Sequence, residues 1–232
     1  MGSFDIQGVV TRAFDIFKNN IGLLLGLTIG GMVIGQILNG IGLGAQVVTT
    51  IASENLDSDL KNVAMVVGGL VRIFLSFVLF VFNSYFGLAM IKICLRLIRG
   101  DTATFMDAVL DFPTFLQGVL ANLLLTLAAT VGFILCIVPG VIISIGLTFS
   151  LYLVVDHQKS AIDALKGSWA LTDGNKMNIF IWFIVCGLIG FAGLLACFVG
   201  VFVAAPVIMV GTGIVYEELR SGQSSSPLDV TS

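Results

Sequence analysis

Charge is what this 232-residue sequence has least of: only 11% of its residues are Asp, Glu, Lys or Arg, against 57% hydrophobic ones. A soluble domain carries about 25% charged residues, so the composition excludes a water-soluble globular protein and a disordered one. Positive charge is not in excess either. Eleven Lys and Arg stand against fourteen Asp and Glu, a net charge of -3, which leaves no basic field for nucleic acid. Histidine occurs once, at His157, and Cys94, Cys136, Cys186 and Cys197 lie in or beside apolar runs with no Cys-x-x-Cys pair. A zinc site is thereby excluded, and no metal or other cofactor is expected. The sequence has no Gly-rich phosphate loop, no Gly-x-Ser-x-Gly and no His-Glu-x-x-His, so no catalytic residue is assigned and the chain is expected not to be an enzyme. No Ala-x-Ala cleavage pattern accompanies the first apolar run, and Ile6 stands where a myristoylation motif requires Ser or Thr. Neither a cleaved signal peptide nor a lipid anchor is expected.

Long apolar runs are abundant. Mean hydropathy is +1.07, more apolar surface than one domain of this length buries against itself, so the remainder is expected to face lipid. About 20 apolar residues cross a bilayer as a helix, and six runs qualify: 21–40, 73–91, 115–136, 140–155, 177–199 and 201–215. The short connections around Pro139-Gly140 and Phe198-Val-Gly200 leave room only for tight turns. With six spans, Arg12, Lys18, Lys92, Arg96, Arg99, Lys159, Lys166, Lys176 and Arg220 all fall on one side, and Lys61 and Arg72 on the other. The positive-inside rule then puts both termini in the cytoplasm.

The first pair of spans is too long for the bilayer. The 20 residues from Arg72 to Lys92 make about 30 Å of helix, so these cations can sit at opposite interfaces and Arg72 reads as a snorkelling side chain, with a buried pair as the alternative. Residues 41–71 are then left beyond the outer interface as a helical extension, apolar enough to mediate homo-oligomerisation or lipid contact. Gly22, Gly26 and Gly30, four residues apart, form a small-residue stripe for helix packing, within the chain or between protomers.

An internal repeat precedes the spans. Residues 106–118 align without gaps with 162–174, sharing Asp107/Asp163, Ala108/Ala164 and Gly118/Gly174, and residues 7–19 form a looser third copy. The organisation expected is a single polytopic domain, 1–220, of three units: 4–98 with the outer extension 41–71, 103–156, and 160–219, followed by a disordered tail, 221–232. Each unit reads as an amphipathic interfacial helix leading into a transmembrane hairpin. The fold class is all-α membrane. On the lead-in helices Phe14, Phe17 and Lys18, Phe105, Phe112 and Phe115, and Trp169, Leu171 and Lys176 are the lipid-anchoring candidates, aromatics at the glycerol level and cations at lipid phosphates.

Polar groups in the spans are few. Gln36, Asn39, Asn83, Asn122, Thr126 and Asn178 are scattered, and Ala205-Pro206 marks a break in the sixth span. Amides in lipid bond helix to helix more often than they bind solute, although Asn83, Asn122 and Asn178 offer an alternative solute path. His157 and Asp156, as neighbours in sequence, point about 100° apart on a helix and make no ready acid/base pair. Asp107 and Asp111 read as cap and headgroup-facing residues. Cys136 and Cys197 fall near the outer ends of their spans and read as small lipid-embedded residues, with a disulfide as the alternative.

Several elements together resemble a known family: Phe4-Asp5-Ile6 and Ala13-Phe14-Asp-Ile-Phe17-Lys18-Asn19 at the start, Gly100-Asp101 with Phe105, and Leu135-Cys136-Ile-Val-Pro139-Gly140. They continue with Ala164-Leu-Lys-Gly-Ser168-Trp169-Ala-Leu171-Thr172-Asp-Gly174-Asn175, and with Pro206 and Tyr216. The chain resembles bacterial polytopic integral membrane proteins of unknown function related to the membrane domain of glycerophosphoryl diester phosphodiesterases. The resemblance implies an all-helical inner-membrane protein. It carries no catalysis, because the phosphodiesterase activity there belongs to a separate soluble barrel. The function expected is a lipid-interacting or membrane-organising scaffold, oligomeric and non-enzymatic; the alternative is a channel or transporter for a small or amphipathic solute.

Overall fold

A computed structural model describes residues 5–54, 58–195 and 199–224. Among these the chain is all helix, with no strand. Helix α1 (Ile6–Asn19) starts where the Asp5 carboxylate accepts from the Gln7 backbone N–H, 3.1 Å, and carries Lys18 in its last turn, each charge at the end of the helix dipole that favours it. Helices α2 (Ile21–Glu54) and α3 (Ser58–Ile98) follow. Their 34 and 41 residues correspond to about 51 and 61 Å at 1.5 Å per residue, well beyond the hydrocarbon thickness of about 30 Å. Residues 41–54 and 58–71 continue these two helices. Gly31 lies against Phe86 and Gly35 against Phe82, an antiparallel register.

The second lead-in segment departs from the expected repeat. Residues 106–118 are not one helix: a 3-10 turn at Phe105–Ala108 is followed by extended backbone, and α4 (Phe112–Leu135) then begins. Asp107 closes the 3-10 turn by accepting from the Thr104 N–H and hydroxyl, while Pro113 stands in the first turn of α4, where its missing N–H costs no helix bond. Gly118 therefore sits inside α4, whereas its aligned partner Gly174 has φ of +75° in the turn after α7 (Ala161–Thr172). Sequence similarity here does not produce equivalent structure.

Helix α5 (Ile137–Gly146) is separated from α4 by Cys136 alone, in extended conformation. The two backbones approach at Gly132 and Gly140, where a Cβ on Gly132 would lie 2.9 Å from the Gly140 Cα. The fourth apolar run is not one helix. It breaks after Gly146 and resumes as α6 (Ser150–His157), ended by Gln158 in the left-handed region at φ 50°. Helix α8 (Lys176–Leu195) and α9 (Val199–Ser224) complete the chain. The break expected at Ala205-Pro206 does not occur: α9 runs through Pro206, as spanning helices do when neighbours re-satisfy the freed carbonyl. It also extends to Ser224, into the segment expected to be disordered. The remainder of that tail, Phe4, the Cys197 half of a possible disulfide and the Phe198 end of the turn before Gly200 lie outside the described residues.

Six helical stretches are long and apolar enough to cross a membrane: Ile21–Val48, Leu60–Ile98, Phe112–Leu135, Ile137–His157, Lys176–Leu195 and Gly200–Gly222. The core gathers on α9, whose Val207, Val210, Ile214, Val215 and Tyr216 are buried together with Ile91, Ile93, Cys94, Leu97 and Ile98 at the end of α3 and Phe149, Tyr152 and Val154 around α6. Helix α1 packs on α9 through Val9, Ala13 and Phe17. Helix α1 thus closes onto α9, and helices from both ends of the chain share one core.

Candidate functional site

The break between α5 and α6 frees backbone groups that water would satisfy in a soluble protein and lipid cannot. Helix α7 supplies the partners. Its N-terminus is set by Ser160, whose hydroxyl bonds the Asp163 N–H and carboxylate, and by the Gln117 side-chain oxygen accepting from the Ala161 N–H at 2.9 Å. Two turns on, the Ser168 hydroxyl accepts from the Phe149 N–H at 3.1 Å and donates to the Gly146 carbonyl at 2.8 Å. Thr172 donates to the same carbonyl at 3.3 Å. Trp169 packs against Gly146, where any Cβ would collide with the indole ring. The Ser-Trp-x-Leu-Thr element is therefore a plug that fits one broken helix.

A second cluster joins the ends of α3, α6 and α9. Asp156, whose side chain is 5% exposed, accepts from Arg99 at 2.6 Å, Arg220 at 2.8 Å and the Tyr216 hydroxyl at 2.9 Å. Arg99 also donates from Nε to Glu217 at 2.8 Å. Burial alone lowers the Arg99 pKa, and the carboxylates of Asp156 and Glu217 more than reverse it. His157 Nε2 stands 3.4 Å from Asp156. Arg12 reaches the Ile98 carbonyl at 3.4 Å, bringing α1 to the same end of the molecule. A carboxylate whose two oxygens accept from two guanidiniums and a phenol acts as a clamp on the three helix ends. Reading Asp156 only against its sequence neighbour His157 missed this cluster. The available signal was an acid terminating an apolar run on the side that collects the arginines.

The anchoring candidates divide into two groups. Phe14, Phe105, Phe112 and Trp169 are exposed, whereas Phe17 is 4% and Leu171 5% exposed. Phe17 and Leu171 are core residues, since the apolar faces of α1 and α7 turn toward the bundle. The Lys18 ammonium lies 5.3 Å from the Phe14 ring centroid, and that of Lys176 4.2 Å from the Trp169 ring and 3.4 Å from Asp173. Phe105 leans on Gly26, and Phe115 meets Tyr85 edge-on. Gly22 and Gly30 face open space, so the stripe is no seam within the chain; the α2–α3 contact uses Gly31 and Gly35. Asp107 ion-pairs with Arg96. The Thr104 N–H and hydroxyl, with Arg96 beside them, hold its carboxyl below the ordinary value. Asp111 stands at the N-cap position of α4, where its carboxylate accepts from the Thr114 hydroxyl at 2.9 Å but bonds no backbone N–H of the helix. Asn83 bonds back to the Leu79 carbonyl, and Asn122 donates to Ser84 across to α3. Among the described residues no group of three or more His, Cys, Asp and Glu is placed to hold a metal.

Such a molecule falls in the class of all-helical proteins with six helices fit to cross a membrane, one of them broken and internally plugged. The chain belongs to the family described as domain of unknown function (DUF7847), which matches residues 97–227. The match takes in the plug, the broken helix and all members of the Asp156 cluster, and leaves out α1 and α2. Uncharacterized protein Rv2560 of Mycobacterium tuberculosis and uncharacterized protein Mb2590 of Mycobacterium bovis are each 29% identical over 175 residues, 75% of this chain and 52% of theirs. The chain spans about half the length of the curated relatives it matches. No solved structure matches.

Proposed function

We propose that this is a non-enzymatic multi-pass protein of the bacterial inner membrane, with both termini cytoplasmic, that acts on the bilayer as a lipid-interacting, membrane-organising scaffold. The observation that carries the reading is how the scarce polar groups are used. Ser168, Thr172, Asn122 and Asp156 all bond other helices or repair a helix break, and the exposed surface of the six helices is mainly apolar, with Gln36, Asn39, Asn83 and Thr126 as scattered polar exceptions. Three hairpins, the lead-in helices as headgroup-level elements and the tie to phosphodiesterase membrane domains belong to the same proposal. So does oligomerisation through 41–71, whose Val47, Val48, Val63 and Val66 are exposed, or through the outward Gly22/Gly30 side of α2. Reconstitution at increasing protein-to-lipid ratio tests it: vesicles imaged by cryo-electron microscopy change size or curvature, and vesicles indistinguishable from empty ones overturn it.

A transporter reading draws on one observation, the break after Gly146, because transporters bind solutes at discontinuous helices. Against it, the freed groups at this break are already taken by Ser168 and Thr172. Solute release from loaded vesicles that depends on Ser168 would favour it.

A further inference from the structure

Ile137, Val141 and Ile145 recur every four residues along one face of α5 and look across at Met177 and Phe180 of α8, enclosing a groove of about 440 Å³ open to the outside of the bundle. Lys176 alone among its lining residues carries charge. We propose that this groove is a phospholipid site: one acyl chain lies along α5 and an anionic headgroup phosphate meets the Lys176 ammonium. The inference rests on the lipid-interacting reading above and names the lipid class and the place.

The apolar lining offers water no hydrogen-bond partner, so in a bilayer an acyl chain fills the groove. The charge at its end selects the headgroup. Lys176 is held over the Trp169 ring at 4.2 Å, and Trp169 is itself fixed against Gly146, so the ammonium is preorganised at the groove instead of sweeping through solvent. Its ion pair with Asp173 is long, 3.4 Å, and the Asp173 side chain is 76% exposed. Such a pair is weak, and a phosphate can take the ammonium from it. A second apolar groove, of about 330 Å³, is lined by Val10, Phe14, Gly193 and Val203; Lys18 lies over the Phe14 ring but does not itself line the groove.

Trp169 beside Lys176 provides the readout. The full chain is placed in phosphatidylcholine nanodiscs doped with chain-brominated phosphatidylglycerol or chain-brominated phosphatidylcholine, and tryptophan quenching is followed. Trp182 is buried and contributes a constant background. Half-maximal quenching is expected at about fivefold less phosphatidylglycerol than phosphatidylcholine, the preference one interfacial Lys confers. Lys176→Gln removes the preference, Lys176→Arg keeps it, and Val138→Phe, which fills the groove, weakens quenching by both lipids. Equal quenching by the two headgroups in the wild type, or a preference that survives Lys176→Gln, overturns the site. Reshaped vesicles with no headgroup preference defeat only the groove, whereas a preference with unchanged vesicles defeats only the scaffold.

Discussion

Helices α2 and α3 form a long, smooth pair, while the segment from α4 to α9 is a set of shorter helices interrupted by turns. In the pair, the hydroxyls of Thr28 and Thr50 and the amide of Asn83 bond to carbonyls one turn earlier in their own helix, and glycines admit aromatic rings. In the C-terminal segment polar side chains reach far along the chain: Ser168 to Gly146 and Phe149, Trp182 to Thr212, Tyr152 to the Met209 carbonyl, Arg99 to Asp156. The difference follows from the solvent. An unbroken helix satisfies its own backbone in lipid and needs no polar partner, whereas each break must be repaired by a side chain from elsewhere. The repaired region is also the one the family match covers.

The comparison breaks if substitutions in the two regions cost the same. Gly146→Leu drives a side chain into Trp169 and should cost about 3 kcal/mol, lowering the melting temperature in detergent by on the order of 10 °C. Gly30→Leu in α2, which meets open space, should stay within about 0.5 kcal/mol. Asp156→Ala unclamps three helix ends. With Asp156 buried but both arginines 39% exposed, the expected loss is about 2 kcal/mol, between that of a buried and an exposed pair. It is read as earlier labelling of the buried thiols of Cys94 and Cys186 on heating.

Smaller effects sharpen the contrast. Ser168→Ala orphans the Phe149 N–H and should cost about 1 kcal/mol, while Thr28→Val, which loses only a bond within its own helix, should be close to neutral. Equal losses would mean that the broken helix is held by packing alone. The least effect is expected at Asp107, outside the spans. Its folded pKa is depressed, so its carboxylate stabilises the fold above the ordinary value near pH 4 and loses that contribution as the pH falls through the lower folded value. Wild type should melt slightly above Asp107→Asn at pH 7, and the gap should close in acid.

The positions of the apolar runs were legible because composition alone reports them, and α1 and α7 could be placed from their apolar spacing. The middle lead-in failed because alignment weighed Asp107 and Ala108 equally with Pro113, whose missing N–H favours the first turn of a new helix over the interior of one running on from residue 106. Phe17 and Leu171 were assigned to lipid because an apolar face on a helix near a membrane has two apolar surroundings to choose from, bilayer and protein, and hydropathy does not distinguish them. Gly22, Gly26 and Gly30 made a regular stripe, yet Gly31 faces Phe86. The stripe's regularity carried no information about which side of α2 met α3.

By itself the sequence determined that the chain is helical and apolar enough for six crossings, that charge collects at particular ends, and that the first pair outruns the bilayer, because these depend on composition and on a fixed rise per residue. Only the tertiary structure decided which polar residues meet. Ser168 and Gly146, or Arg99, Asp156 and Arg220, are brought together by the packing of separate helices, and no local periodicity encodes a contact between residues 22, 57 or 64 positions apart.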